Sequence, residues 1–243
     1  MFFINLIRSD LSASEIVLCV VALLIAATLS IVAHEVSHGY VALWNGDPTA
    51  KMRNRLTFNP VVHFDVLGVL MLLLCGFGWA KPVPINPGNF KNYRKGVLTV
   101  SVAGVSTNLI LAGFSLLLLF LLYYPMVMAT ASRTTSVGLL MFFFIVLLQF
   151  MVQINFMLAL FNLLPIYPLD GFHIVNTLLP DNQRYQQFMV RYGLYILLAI
   201  IVIGNIADRF GLWYLDIFGM FAKLISNMIT KVEIASIATF LSV

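Results

Sequence analysis

The sequence predicts an all-α polytopic membrane protein: about five transmembrane helices, a re-entrant segment and short β-strands in the linking loops. Three observations predict it. Hydrophobic residues make up 61% of the 243-residue chain and charged residues only 10%, with a mean hydropathy of +0.97. About a quarter of the residues in soluble domains are charged, so a water-soluble globule is excluded. Apolar runs on the scale of the ~20 residues needed to cross a bilayer occupy residues 16–43, 97–123, 137–164 and 188–206. Between them, stretches bearing Gly and Pro carry clusters of Lys and Arg.

The chain reads as one domain over 1–243, with a core at about 14–176 and C-terminal helices at about 186–243. It shows no internal repeat and no low-complexity segment. The net charge of +4 reads as membrane topology and not as nucleic-acid binding. Cys19 and Cys75 lie in apolar runs and read as buried small hydrophobes. The first run lacks a small-residue cleavage site and is expected to be an uncleaved span.

Residues 66–80 are marginal for a span, at about 15 residues punctuated by Gly68, Gly76 and Gly78. Gly76-Phe-Gly-Trp-Ala-Lys-Pro-Val-Pro84 then reads as non-helical backbone. If the first run and the 137–164 run end at a shared site, they cross in the same direction. An odd number of crossings then separates them, and 97–123 supplies one, so 66–80 is expected to dip in and return. Lys51, Arg53, Arg55, Lys81, Lys91, Arg94 and Lys95 fall on one side, which the positive-inside rule makes cytoplasmic, with the N-terminus outside. A true span at 66–80 is the alternative and would turn 81–95 outward. Leu215, Phe218, Ala222, Ile225 and Ile229 recur at helical spacing. They suggest a helix lying in the interface, with a further span as the alternative.

The chemistry-bearing motif is His34-Glu35-Val36-Ser37-His38, inside the first apolar run. Two histidines four apart share one helix face, which suits two imidazole ligands of a zinc ion. Glu35 is placed to take a proton from water there. An ionisable cluster within a membrane is costly and reads as functional; a pair of satisfied helix histidines is the competing reading. Catalytic zinc takes three protein ligands. The position six after His38 is Trp44, and the only later Glu is Glu233, in the tail. Asp170 is the best remaining ligand, in Pro165-Ile-Tyr-Pro168-Leu-Asp170-Gly171, where two prolines break the helix and Gly171 permits a turn. An ordinary loop aspartate is the competing reading.

Depth points to Asn108. Glu35 lies about 13 Å from Trp44, and Asn108 about 16 Å from Val97, both measured from the cytoplasmic side at 1.5 Å per residue. An amide there can hold a substrate carbonyl or bond between helices. Gln149, Gln153 and Asn155 read as such interhelical glue. His63 and His173 are surplus to the ligand set and read as loop or supporting residues.

From about Ile31 to Ile174 the chain resembles the site-2 protease family of intramembrane zinc metalloproteases. HEVSHGYVA matches the family's zinc helix and NLLPIYPLDG its Asn-Pro-Asp-Gly signature, while GDPTAKMRNRLTFNP and GWAKPVPINPGNFKN resemble linking segments of its compact members. Its Gly-Pro-x-x-Asn signature stands here as Gly104-Val-Ser-Thr-Asn108, without the proline. No insertion is long enough for a PDZ or CBS domain. The resemblance implies His34, His38 and Asp170 as ligands of one Zn2+ per chain, and Glu35 as general base. It implies a transmembrane protein as substrate, cut in or near its membrane segment to release a regulatory fragment. It also implies a cell-membrane location if the source is prokaryotic, and the positive-inside charges place the active site toward the cytoplasm. An extended substrate is expected to pair with a strand edge in 49–58 or in the re-entrant segment. A metal-ion or proton transporter, and a non-catalytic metal-binding relative, are the alternatives. The chain has no mirrored second half to favour the first, and intact Glu35 argues against the second.

Overall fold

The computed structural model describes residues 11–65, 67–68, 80–129, 135–179, 183–212 and 215–242. Its helices are α1 (Ala13–Trp44), α2 (Thr49–Met52), α3 (Tyr93–Ala129), α4 (Ser136–Asn162), α5 (Asp170–Leu178), α6 (Gln183–Arg209) and α7 (Ile217–Leu241). Five of them, α1, α3, α4, α6 (over Gln183–Gly204) and α7, are long and apolar enough to cross a membrane. The protein is therefore a multi-pass membrane protein.

Local signals start and stop these helices. Ser12 opens α1 with a capping box: its backbone N–H donates to Glu15 Oε2 at 2.9 Å, and Glu15 N–H returns to Ser12 Oγ. The Thr135 hydroxyl accepts from Gly138 N at 3.1 Å at the start of α4. Pro165 and Pro168 cannot continue α4, which ends at Asn162. Asp216 opens α7 by accepting from Gly219 N at 2.9 Å.

α1, α3 and α4 form the heart of the bundle. Small residues at their contacts let the backbones approach closely: Ala22, Ala26, Ala112 and Ala159 are all fully buried. The pairs His38–Val100, Asn45–Thr99 and His34–Asn108 show α3 running antiparallel to α1. Asn155 Nδ2 donates to Ser30 Oγ at 2.7 Å, which ties α4 to α1 as interhelical glue.

The tail departs from the expected interfacial helix. α7 lies along α3 and α4, where Ile225 and Ile229 pack with Leu119 and Val152 in a buried cluster. Gln149 Nε2 donates to Glu233 Oε1 at 2.6 Å, and Phe218 meets Phe161 with ring centroids 5.5 Å apart. The apolar stripe read as facing the interface faces the bundle instead. Helical spacing alone cannot distinguish the two destinations.

The short strands are also corrected. Among the described residues the only β pairing is an isolated antiparallel bridge between Phe64 and Ala80. Residues 49–52 of the expected strand edge are helical, and the rest of 49–58 is turn and coil. The expected re-entrant segment lies outside the described residues except at 67, 68 and 80.

Candidate metal centre and active site

α1 lifts His34 and His38 onto one face, both 8% exposed. Each ring is pinned by its Nδ1. His38 Nδ1–H donates to the Val100 carbonyl at 2.7 Å; that oxygen only accepts, so the tautomer is set. For His34 the assignment runs through a chain. Met151 O accepts from Asn155 Nδ2 at 2.8 Å, so Asn155 Oδ1 accepts from Asn108 Nδ2 at 2.8 Å. Asn108 Oδ1 is then left to accept from His34 Nδ1–H at 2.6 Å. In the neutral imidazoles both Nε2 atoms are thereby left as bare lone pairs.

Asp170 enters from the other side as the first residue of α5. Gly171 matters here for space. A Cβ on it would meet the carbonyl oxygens of Leu163 and Leu164 and stand 2.5 Å from Leu163 C, so only glycine lets α5 start against the end of α4. Its φ is not positive, so room rather than turn geometry is the reason. Asp170 Oδ2 lies 3.5 Å from His34 Nε2 and 3.4 Å from His38 Nε2, and the two Nε2 atoms are 3.0 Å apart.

These residues fit a divalent ion. At zinc–ligand distances near 2.1 Å, ligand atoms of a tetrahedral site stand about 3.4 Å apart, which matches the two separations from Asp170 Oδ2 and is longer than the 3.0 Å between the Nε2 atoms. Asp170 Oδ2 is buried with no hydrogen-bond partner, and it faces two lone pairs. Three electron-rich atoms converging without a proton among them call for a cation. The group His34, His38 and Asp170 is the metal-competent cluster found among the described residues.

Glu35 points into a cavity of about 330 Å³ that also reaches His34, His38, Asp170 and His173. Its Oε2 accepts from Val83 N at 2.8 Å. Val83 belongs to the Pro82–Pro87 stretch that forms one wall of the cavity, so Glu35 is fixed by the wall a ligand would touch. Asn108 is not on this surface. It is fully buried, committed to His34, Asn155 and the Ser30 carbonyl, and it holds His34 from behind where a substrate contact was expected.

Sequence reasoning passed over Asp47. This carboxylate is fully buried and accepts from Asn86 N at 2.7 Å, Asn89 Nδ2 at 2.7 Å, Thr49 N at 3.1 Å and the Thr49 hydroxyl. It fastens the cavity wall to the end of α1. The cue was local, since Asp-x-Thr after a helix end is a turn signature, but nothing local says that Asn86 and Asn89 return to it. Burial pushes its pKa up, and the hydrogen bonds from Thr49, Asn86 and Asn89 outweigh that and hold it below the usual value. The unfolded chain therefore binds this proton more readily. The stability the carboxylate contributes is complete above about pH 4 and is lost as pH falls through the folded value. Asp47→Asn should lower stability by about 1–3 kcal/mol near neutrality and flatten the acid limb. Melting of the detergent-solubilised protein between pH 3 and 7 reads both effects.

Comparison with known proteins follows the same lines. A family model described as "Peptidase family M50" matches residues 22–203. A protein of Bacillus subtilis (strain 168), named "Putative zinc metalloprotease YwhC", is 42% identical over 182 residues, covering 74% of this chain and 80% of that protein. No solved structure matches the chain.

Proposed function

Because the chain belongs to peptidase family M50, we propose that it is an intramembrane zinc endopeptidase that hydrolyses peptide bonds in or near transmembrane segments of other membrane proteins. The observation that carries this is the convergence of His34 Nε2, His38 Nε2 and Asp170 Oδ2 beside Glu35, within a bundle of apolar helices. These three side chains would hold one Zn2+. When bound, the ion polarises the scissile carbonyl and acidifies a water.

The chain's own residues do the rest. Glu35, oriented by Val83 N–H, accepts the proton water loses as its oxygen attacks the carbonyl carbon, and passes it to the departing amine. Asn108 and the Val100 carbonyl keep the two imidazoles in the tautomer a metal needs. A helical substrate ties up its carbonyls in internal i→i−4 hydrogen bonds, so it must unwind locally before a carbonyl reaches Glu35. The active site is assigned to the cytoplasmic side on the charges of 51–55 and 81–95.

The test is cleavage in liposomes. The purified protein and a labelled single-span peptide are reconstituted together, treated with a zinc chelator, then given zinc back. Cleavage should stop and return, and it should sit in or beside the apolar segment. Metal flux without proteolysis would favour a transporter and overturn the proposal.

A further inference from the structure

We infer that His173 is a further catalytic residue, whose imidazole N–H donates a hydrogen bond to the scissile carbonyl oxygen as that oxygen gains negative charge. The inference rests on the peptidase reading above and adds a donor that the ligand set and Glu35 do not provide.

Three of the four histidines already have a ring N–H committed. His34 and His38 donate from Nδ1 to Asn108 and Val100, and His63 donates from Nε2 to the Thr57 carbonyl at 2.9 Å while fully buried. His173 differs. It is half-buried, lines the active-site cavity, and has no hydrogen bond to its ring nitrogens among the described residues. Among the described residues its ring contacts Phe172, at 5.2 Å between centroids and 72° between planes. That edge contact steadies the imidazole without using its nitrogens.

Position assigns the role. His173 follows Asp170 by three residues on α5, so both project from one helix face. Its nitrogens are nevertheless absent from the group of ligand atoms lying within 4.8 Å of one another. It therefore stands beside the metal cluster without belonging to it. Glu35 comes from α1 and His173 from α5, so proton acceptor and hydrogen-bond donor reach the cavity on different elements.

The other side-chain donors at the cavity are spent or buried. Asn108 is enclosed behind His34. Val83 N–H is held by Glu35. Asn162 Nδ2 donates back to Leu158 O at 3.0 Å, and Ser101 is only 4% exposed.

The reaction balances without moving a proton through His173. Water oxygen bonds to the carbonyl carbon, the C=O π pair shifts onto oxygen, and Glu35 takes the water proton. The C–N bond then breaks, the oxygen pair restores C=O, and the proton on Glu35 goes to the amine. His173 donates a hydrogen bond throughout and keeps its proton.

The experiment compares wild type, His173→Phe and His173→Gln in liposomes on a single-span peptide. Zinc content is measured per chain, and affinity for a phosphinic peptide, whose tetrahedral anion carries the transition-state charge, is measured by calorimetry. His173→Phe should keep its zinc and its KM while kcat falls about 10²–10³-fold. Phosphinate affinity should fall by a similar factor. His173→Gln, which retains an N–H donor, should recover part of both. Wild-type kcat in His173→Phe, an effect on KM alone, or loss of zinc with the side chain would each overturn the inference and leave the peptidase reading standing. A wild type that neither cleaves nor binds the phosphinate would remove that reading, and the inference with it.

Discussion

Glu35→Gln should retain zinc at one ion per chain and lose cleavage by about 10²–10⁴-fold, the usual contribution of a positioned general base. The substitution isolates proton transfer because little else changes. Glutamine has nearly the volume of glutamate, and its amide oxygen can still accept from Val83 N–H, the bond that holds the native carboxylate at 2.8 Å. His34 and His38 keep their Nδ1 partners and Asp170 is untouched, so zinc content and melting temperature should match wild type. An amide cannot take the proton that water must lose, so the loss should fall on kcat with KM unchanged. Single-turnover cleavage of a single-span peptide, with zinc measured on the same sample, separates the outcomes. Unimpaired cleavage would remove the base assignment. Lost zinc would instead mean that Glu35 supports the ligand geometry.

What could be read from the sequence was what local rules control. Two histidines four apart on an apolar run specify a shared helix face whatever packs around them. Two prolines and a glycine around Asp170 mark the end of a span without knowledge of its neighbours. Illegible features depended on a distant partner. The stripe containing Ile225 and Ile229 faces α3 and α4, yet the same spacing serves an interfacial helix equally well. Asn108 was placed at the right depth but facing the wrong way: depth follows from counting residues, whereas rotation about the helix axis depends on what α1 and α4 offer. It meets His34 on α1 and Asn155 on α4. Asp47 was unreadable for the same reason, because its partners Asn86 and Asn89 return from a distant stretch of chain, and nothing local places His173 on the cavity wall.

Gly104→Ala should weaken zinc binding by at least 10–100-fold, the range typical of disturbing residues that orient metal ligands, and cleavage should fall with it. Gly104 sits on α3 where that helix presses against the metal face of α1. A Cβ there would stand 2.6 Å from His38 Nε2 and 2.7 Å from His34 Nδ1, with His34 Cε1 closer still. Real Cβ atoms do not approach so near, so something must give. The imidazoles cannot swing aside freely, because Asn108 and the Val100 carbonyl, both on α3 itself, hold their Nδ1 atoms. The remaining movements part α3 from α1 or rotate the rings, and both pull Nε2 atoms away from Asp170. Gly113→Ala is the matched control: it lies on the same helix, and an added Cβ there meets nothing within 4 Å. Competition against a chelator of known affinity should therefore separate the two variants, with Gly113→Ala indistinguishable from wild type. Equal zinc affinity in Gly104→Ala would mean that α3 does not press on the histidine pair, and the tautomer argument for both ligands would lose its geometric basis.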